Sequence, residues 1–191
     1  MGKEDCSLEV AKKVAELLTV LGVDLDDENY EETPERFGSY LQDAFGYRIE
    51  NDLRKWKKSV FPTSYEGMIT QTGIWANSMC PHHLLPVEYK INLAYIPSGN
   101  VIGLSKLARI GIACAKTPTL QEDFAVNIAD SLEVVLKTEN VAVLVSGVHS
   151  CMTIRGVAAH DSKTTTSIFR GDFYRDLNTR NEFLSLVRMA D

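Results

Sequence analysis

Apolar residues at Val10, Ala11, Val14, Leu17, Leu18 and Leu21 recur every three or four positions and stop at Gly22. That spacing predicts an amphipathic helix, with Ser7 as its candidate N-cap. After an acidic loop from Asp24 to Glu32, Thr33-Pro34-Glu35-Arg36 places a capping residue before a proline and opens a second helix to about Phe45. From Gly67 the period shortens. Met68–Thr72 and Tyr89–Ile96 alternate apolar and polar residues as strands do, and Pro97-Ser98-Gly99-Asn100 ends the second of them. Gly103-Leu104-Ser105 leads into a helix of about ten residues, and another, from about Pro118 to Lys137, carries Phe124, Ile128, Leu132 and Val135 on one face. The β-branched run Val141 to Val148 predicts a buried strand, followed by a strand from about Thr164 to Phe169 and a last helix from about Thr179 to Met189. Strands joined by short connections cannot be parallel, so the order predicts an α+β fold with an antiparallel sheet.

The chain of 191 residues is long enough for one substantial core. We expect an N-terminal helical segment over residues 1–60 and one main domain over residues 61–191. A hydrophobic content of 45% with 24% charged residues is ordinary for a globular chain and favours neither disorder nor a membrane class. No apolar run approaches the roughly 18 residues of a membrane span. Met1-Gly2-Lys3-Glu4-Asp5 precedes an amphipathic stretch, not an apolar one, so no secretory signal is read, and Ser7 stands one position late for a myristoylation motif. The expected compartment is the cytoplasm, where thiols stay reduced and free to bind metal. A net charge of −6 argues against nucleic acid as a partner. It leaves room for an anionic small molecule held by a few converging cations.

Two short segments change the picture. Cys80-Pro81-His82-His83 and His149-Ser150-Cys151 hold five of the eight Cys and His residues, while Cys6, Cys114 and His160 stand apart. Together they supply thiolate and imidazole ligands for one metal, with zinc expected. A Cys2His set is one short of a closed structural site and leaves a position for water. Cys80 and His83 have the spacing of a tight turn, and Pro81 favours an extended residue before it. If the strand after Val141 persists, its period of two puts His149 and Cys151 on one face, one to bind metal and the other to face substrate. Cys114 lies in an apolar helical run and is read as core.

Ser105-Lys106-Leu107-Ala108-Arg109 begins a helix after a glycine, so free N–H groups and two cations three residues apart could meet an anion. The competing reading is a simple cap with surface cations. Arg155 follows Cys151 by four residues, close to the expected metal. Thr119-Leu120-Gln121-Glu122 fits a capping box. With Pro118 at the first helical position, however, Thr117 is the cap and the Glu122 carboxylate is free to accept the paired N–H donors of a guanine edge.

The chain resembles the GTP cyclohydrolase I family through Thr33-Pro34-Glu35-Arg36, Cys80-Pro81-His82-His83, Ala94–Pro97, Val101–Ile110, Gln121-Glu122, His149-Ser150-Cys151, Arg155-Gly156-Val157 and Thr164–Ser167. The resemblance implies a tunnelling fold, an antiparallel sheet with helices on one face, and a toroidal homodecamer with active sites between neighbouring subunits. It implies zinc held by Cys80, His83 and Cys151, and proton transfer by His82 and His149. Glu122, helped by Gln121, would hold the guanine of GTP. Lys106, Arg109, Arg155 and a neighbouring subunit's Arg36 would hold the triphosphate, and Ser105 would assist at the ribose. The implied reaction opens the purine at C8, releases formate and gives dihydroneopterin triphosphate. One departure is visible: Pro81 stands where the family usually has Glu, so a contact that orients a neighbouring residue is missing. The alternative is a degenerate member that binds GTP or a pterin without turnover.

Overall fold

The computed structural model describes residues 3–46 and 49–190; Met1, Gly2 and the side chain of Cys6 lie outside the described residues. Contacts divide the chain into two units, Met1–Tyr47 and Arg48–Asp191.

The first unit is a pair of helices, α1 (Lys3–Val20) and α2 (Thr33–Gly46). α1 begins upstream of Ser7, which therefore lies inside the helix and does not cap it. At the other end Gly22 turns left-handed at φ 81°, and Val23 N–H reaches back to the Leu18 carbonyl at 3.0 Å, closing the helix with a Schellman bond. Ala11 and Val14 are buried, whereas Leu17 and Leu21 of the same stripe are exposed.

The second unit opens with α3 (Glu50–Trp56), a single 3-10 turn at Lys57–Ser59 and the short β1 (Val60–Pro62). These residues, grouped above with the N-terminal helices, belong to the main body: α3 packs on α5 (Gln121–Leu136), and β1 pairs with β4 (Asn100–Ile102). The main sheet is antiparallel in the order β2 (Ile69–Met79), β3 (Pro86–Tyr95), β5 (Val141–His149), β6 (Thr164–Phe169). β2 runs seven residues beyond the expected Thr72, since it ends at Met79. Its alternation breaks at a register shift between Gln71 and Ile74, where Gly73 donates its N–H to Asn92 Oδ1. Such a bulge resets the period and hides the rest of the strand from a period-two reading. The α+β antiparallel class holds.

The face of the sheet carrying Ile91, Leu93, Val143 and Val145 is covered by α4 (Leu104–Ala115) and α5, whose Leu107, Ile110, Phe124, Ile128 and Leu132 are all fully buried. Helices are not confined to that face. Ala94 and Ala142, of opposite parity, pack with Phe173 of α7 (Asp172–Arg175) and with Phe183 and Val187 of α8 (Leu177–Met189). Phe169, Leu144 and Leu184 extend this second cluster, which a sheet with helices on one side only would lack. No described helix is long and apolar enough to cross a membrane.

Candidate active site

The turn between β2 and β3 is closed by its own backbone. Cys80 N–H donates to the Leu85 carbonyl at 2.9 Å, and Leu84 N–H donates to the Cys80 carbonyl at 2.8 Å. Leu84 takes the left-handed conformation at φ 54°, which turns the chain back sharply. Cys80 is buried under the turn while Pro81, His82 and His83 are exposed. Its Sγ lies 3.6 Å from His83 Nδ1 and 3.8 Å from His82 Nδ1.

Sheet register brings the second segment alongside. Val87, just after the turn, pairs with His149, so the end of β5 lies beside the residues that follow Cys80. The strand ends at His149, so the condition for sharing its face with Cys151 is not met. The chain leaves it after His149 in a helical turn, α6 (Ser150–Thr153), closed by Ile154 N–H on the Ser150 carbonyl. Cys151 is thus delivered by a helix turn, and one ligand atom each from Cys80, His83 and Cys151 lie within 4.8 Å of one another. Tetrahedral zinc with bonds of about 2.0–2.3 Å has its ligand atoms roughly 3.5 Å apart. The two thiols and the imidazole fit such an ion in both chemistry and proximity. His160, the remaining candidate for a fourth ligand, is exposed and lies outside this group.

The electrostatics agree with a cation site. Burial raises the pKa of the Cys151 thiol, and a hydrogen bond with Cys80 and the Cys80 charge raise it further, while Arg155 opposes them. Two thiolates so close repel each other until a cation lies between them. Cys114 answers to burial alone in its main cause: it sits in the core of α4, 3.8 Å from Ser131 Oγ, and its pKa is pushed up to about 12.

His149 lies on the face of β5 that meets the start of α5. Its Nε2 is 2.8 Å from Gln121 Oε1, and its ring stands edge-on to Tyr89 at 6.0 Å. Burial lowers its pKa, and the Glu122 charge acts in the opposite direction. Tyr89 stacks on Phe124 at 4.5 Å. Burial raises its pKa to about 12, with the charges of Cys80, Glu122 and Cys151 adding to the rise. Tyr89 therefore floors the site between the ligand turn and α5, a role that sequence reasoning missed. Its place in the β3 alternation was readable, but the β3–β5 register that pairs it with Gly147, two residues before His149, was not.

Neither capping scheme for α5 forms. Leu120 occupies the N-cap, with no side-chain cap bond, so Glu122 is exposed in the first turn and is not committed to a capping box. The Gln121 side chain is buried and its amide is bonded inside the protein at both ends. On α4, Gly103 is the N-cap and Ser105 makes no cap bond. Ser105 and Arg109 are exposed and Lys106 half-buried, one helical turn apart. Arg155 is exposed just beyond α6, near enough to Cys151 to lower its pKa. Arg36 lies in the first unit, on α2, ion-paired with Glu32.

A sequence model of the family described as GTP cyclohydrolase I matches residues 10–188. The GTP cyclohydrolase 1 of Coxiella burnetii is 37% identical over 179 residues, covering 94% of this chain and 97% of that protein. The GTP cyclohydrolase 1 of Clostridium perfringens is 36% identical over 173 residues, covering 91% of this chain and 93% of that protein. That of Bacillus pumilus is 39% identical over 176 residues, covering 92% and 93% respectively. Among solved structures, the archaeosine synthase QueF-Like in the apo form aligns with 58% of this chain and 91% of its own at 14% identity and a TM-score of 0.41, too slight a likeness to bear on the fold.

Proposed function

The chain belongs to the GTP cyclohydrolase I family, and from that premise we propose that it converts GTP to 7,8-dihydroneopterin triphosphate and formate, the first step toward a pterin, folate or deazaguanine product. The observation that carries this reading is the convergence of Cys80, His83 and Cys151, from segments about seventy residues apart, with His82 beside Cys80.

Zinc is the metal we assign to Cys80, His83 and Cys151; when bound it supplies Lewis acidity and lowers the pKa of a coordinated water to about 7. His82, on the ligand turn, and His149, at the end of β5, transfer protons at the five-membered ring of the purine. Glu122 accepts N–H donors of the guanine edge, a role supported by its uncommitted carboxylate. Lys106, Arg109 and Arg155 hold the triphosphate, with a neighbouring subunit's Arg36 completing the clamp, and Ser105 assists at the ribose. The fold is read as the tunnelling fold and the assembly as a homodecamer with its sites between subunits. The open edge strands β2 and β6, with Trp75 of β2 63% exposed, support further strand or subunit packing. The enzyme is placed in the cytoplasm, in keeping with free thiols at the ligand positions.

Incubating zinc-loaded protein with GTP should release formate in step with a pterin that fluoresces after oxidation. GTP binding with no formate would sink the enzymatic reading and leave a binding protein.

A further inference from the structure

Gln121 opens α5 and is only 4% exposed, yet both ends of its amide are bonded. Nε2 lies 2.9 Å from the Thr164 carbonyl oxygen, 3.4 Å from that of Val145 and 3.3 Å from Thr166 Oγ1. Oε1 faces His149 Nε2 at 2.8 Å. Carbonyl oxygens only accept, so the amide nitrogen belongs on the strand side; the flipped amide would press its oxygen against two carbonyl oxygens. The end turned to His149 is therefore an oxygen, and it too only accepts. The bond to His149 exists only when His149 Nε2 carries the hydrogen.

We propose that Gln121 is a positioning residue that holds the neutral ring of His149 in the Nε2–H tautomer, leaving Nδ1 as the nitrogen that takes up and returns the proton during turnover. The role in proton transfer rests on the function proposed above; the tautomer itself does not. Gly147 is part of the device. A Cβ there would overlap Gln121 Oε1 and stand 2.9 Å from the Tyr89 ring, so only glycine lets the amide lie flat between β5 and α5. An orienting acceptor on one nitrogen of a histidine is a familiar means of fixing the other for chemistry.

The test is the ring ¹⁵N spectrum of the zinc-loaded protein without GTP at about pH 8, above the ordinary titration range of histidine. His149 is assigned by the signals that vanish in His149→Ala. A protonated, pyrrole-like Nε2 and a bare, pyridine-like Nδ1 are expected. In Gln121→Leu the two signals should move toward each other as tautomers mix, with zinc content unchanged, and Gly147→Ala should do the same with Gln121 still present. A pyrrole-like Nδ1 in the wild type overturns the proposal, as do unaltered signals in both variants. In turnover, Gln121→Leu should lose about tenfold or more in kcat with KM for GTP nearly constant. A raised KM with kcat retained would instead make Gln121 a substrate ligand. Because the ring signals are read without GTP, an inactive wild type with the expected spectrum defeats the turnover reading and upholds the tautomer.

Discussion

Cys80 Sγ lies 3.6 Å from His83 Nδ1, three residues on in a turn whose backbone hydrogen bonds run to and from Cys80. Two of the three gathered residues are therefore brought together by local structure. The other thiol comes from α6, a turn held against β3 and β5. Substituting it tests whether the local pair suffices. Cys151→Ala should retain the turn but lose most of the zinc, read by metal analysis after dialysis. Full retention with unchanged affinity would refute the Cys2His assignment.

Arg155 stands just beyond α6, and its charge reaches Cys151. Arg155→Ala should weaken GTP by about tenfold or more while leaving guanosine nearly unaffected, since a charge-assisted bond to phosphate contributes about 1.5–3 kcal/mol. Equal losses for both ligands in calorimetric titrations would contradict a phosphate role.

The strand from Tyr89 was legible because one local period decides it. The far half of β2 was not, since the bulge at Gly73 reverses the parity of Ile74, Trp75 and Ala76. The strand's end at His149 was legible, but Ser150–Thr153 offered no helix signal, and only the structure shows the turn that delivers Cys151. That Cys80, His83 and Cys151 could come together was legible from residue type and spacing. The bond between Gln121 and His149 was not, because it depends on docking α5 against β5 across 28 residues of chain. The cover on the second face of the sheet was likewise a tertiary matter: Ala94 and Ala142 are small to admit the rings of Phe173 and Phe183, and nothing local announces that.

Phe183 is fully buried in that second cluster, edge-on to Phe169 at 6.2 Å and to Phe173 at 6.0 Å. Phe183→Ala should destabilise the fold by about 3–5 kcal/mol, measured by denaturant unfolding of the full chain. A loss below about 1 kcal/mol would mean that α8 does not cover the sheet in solution.

Asp176 caps α8 by accepting from the backbone N–H groups of Asn178 and Thr179 and from the Thr179 hydroxyl. Its pKa is lowered, first by the Thr179 side chain and then by the two N–H groups. A carboxylate with a lowered folded pKa stabilises the protein above its unfolded pKa of about 3.9 and loses that contribution as pH falls through the folded value. Asp176→Ala should therefore lower Tm at pH 7, and the difference from wild type should shrink as the pH drops below about 4. A gap that widens on acidification would show that the cap does not act as a carboxylate.

His82 and His149 are assigned to proton transfer and not to zinc, because Cys80, His83 and Cys151 already converge on one point and further protein ligands would displace the reacting water. His82 makes the sharper test, since its Nδ1 lies only 0.2 Å farther from Cys80 Sγ than that of His83, at 3.8 against 3.6 Å. Replacing His82 or His149 with Ala should leave zinc near one per subunit and cut turnover by about 10²-fold or more, the contribution of a positioned general acid or base. Replacing His83 should remove the metal and the activity together. If His82→Ala loses zinc while His83→Ala keeps it, the two histidines exchange roles on the turn that Pro81 shapes. If both keep zinc and full activity, neither histidine of this turn takes part in the chemistry.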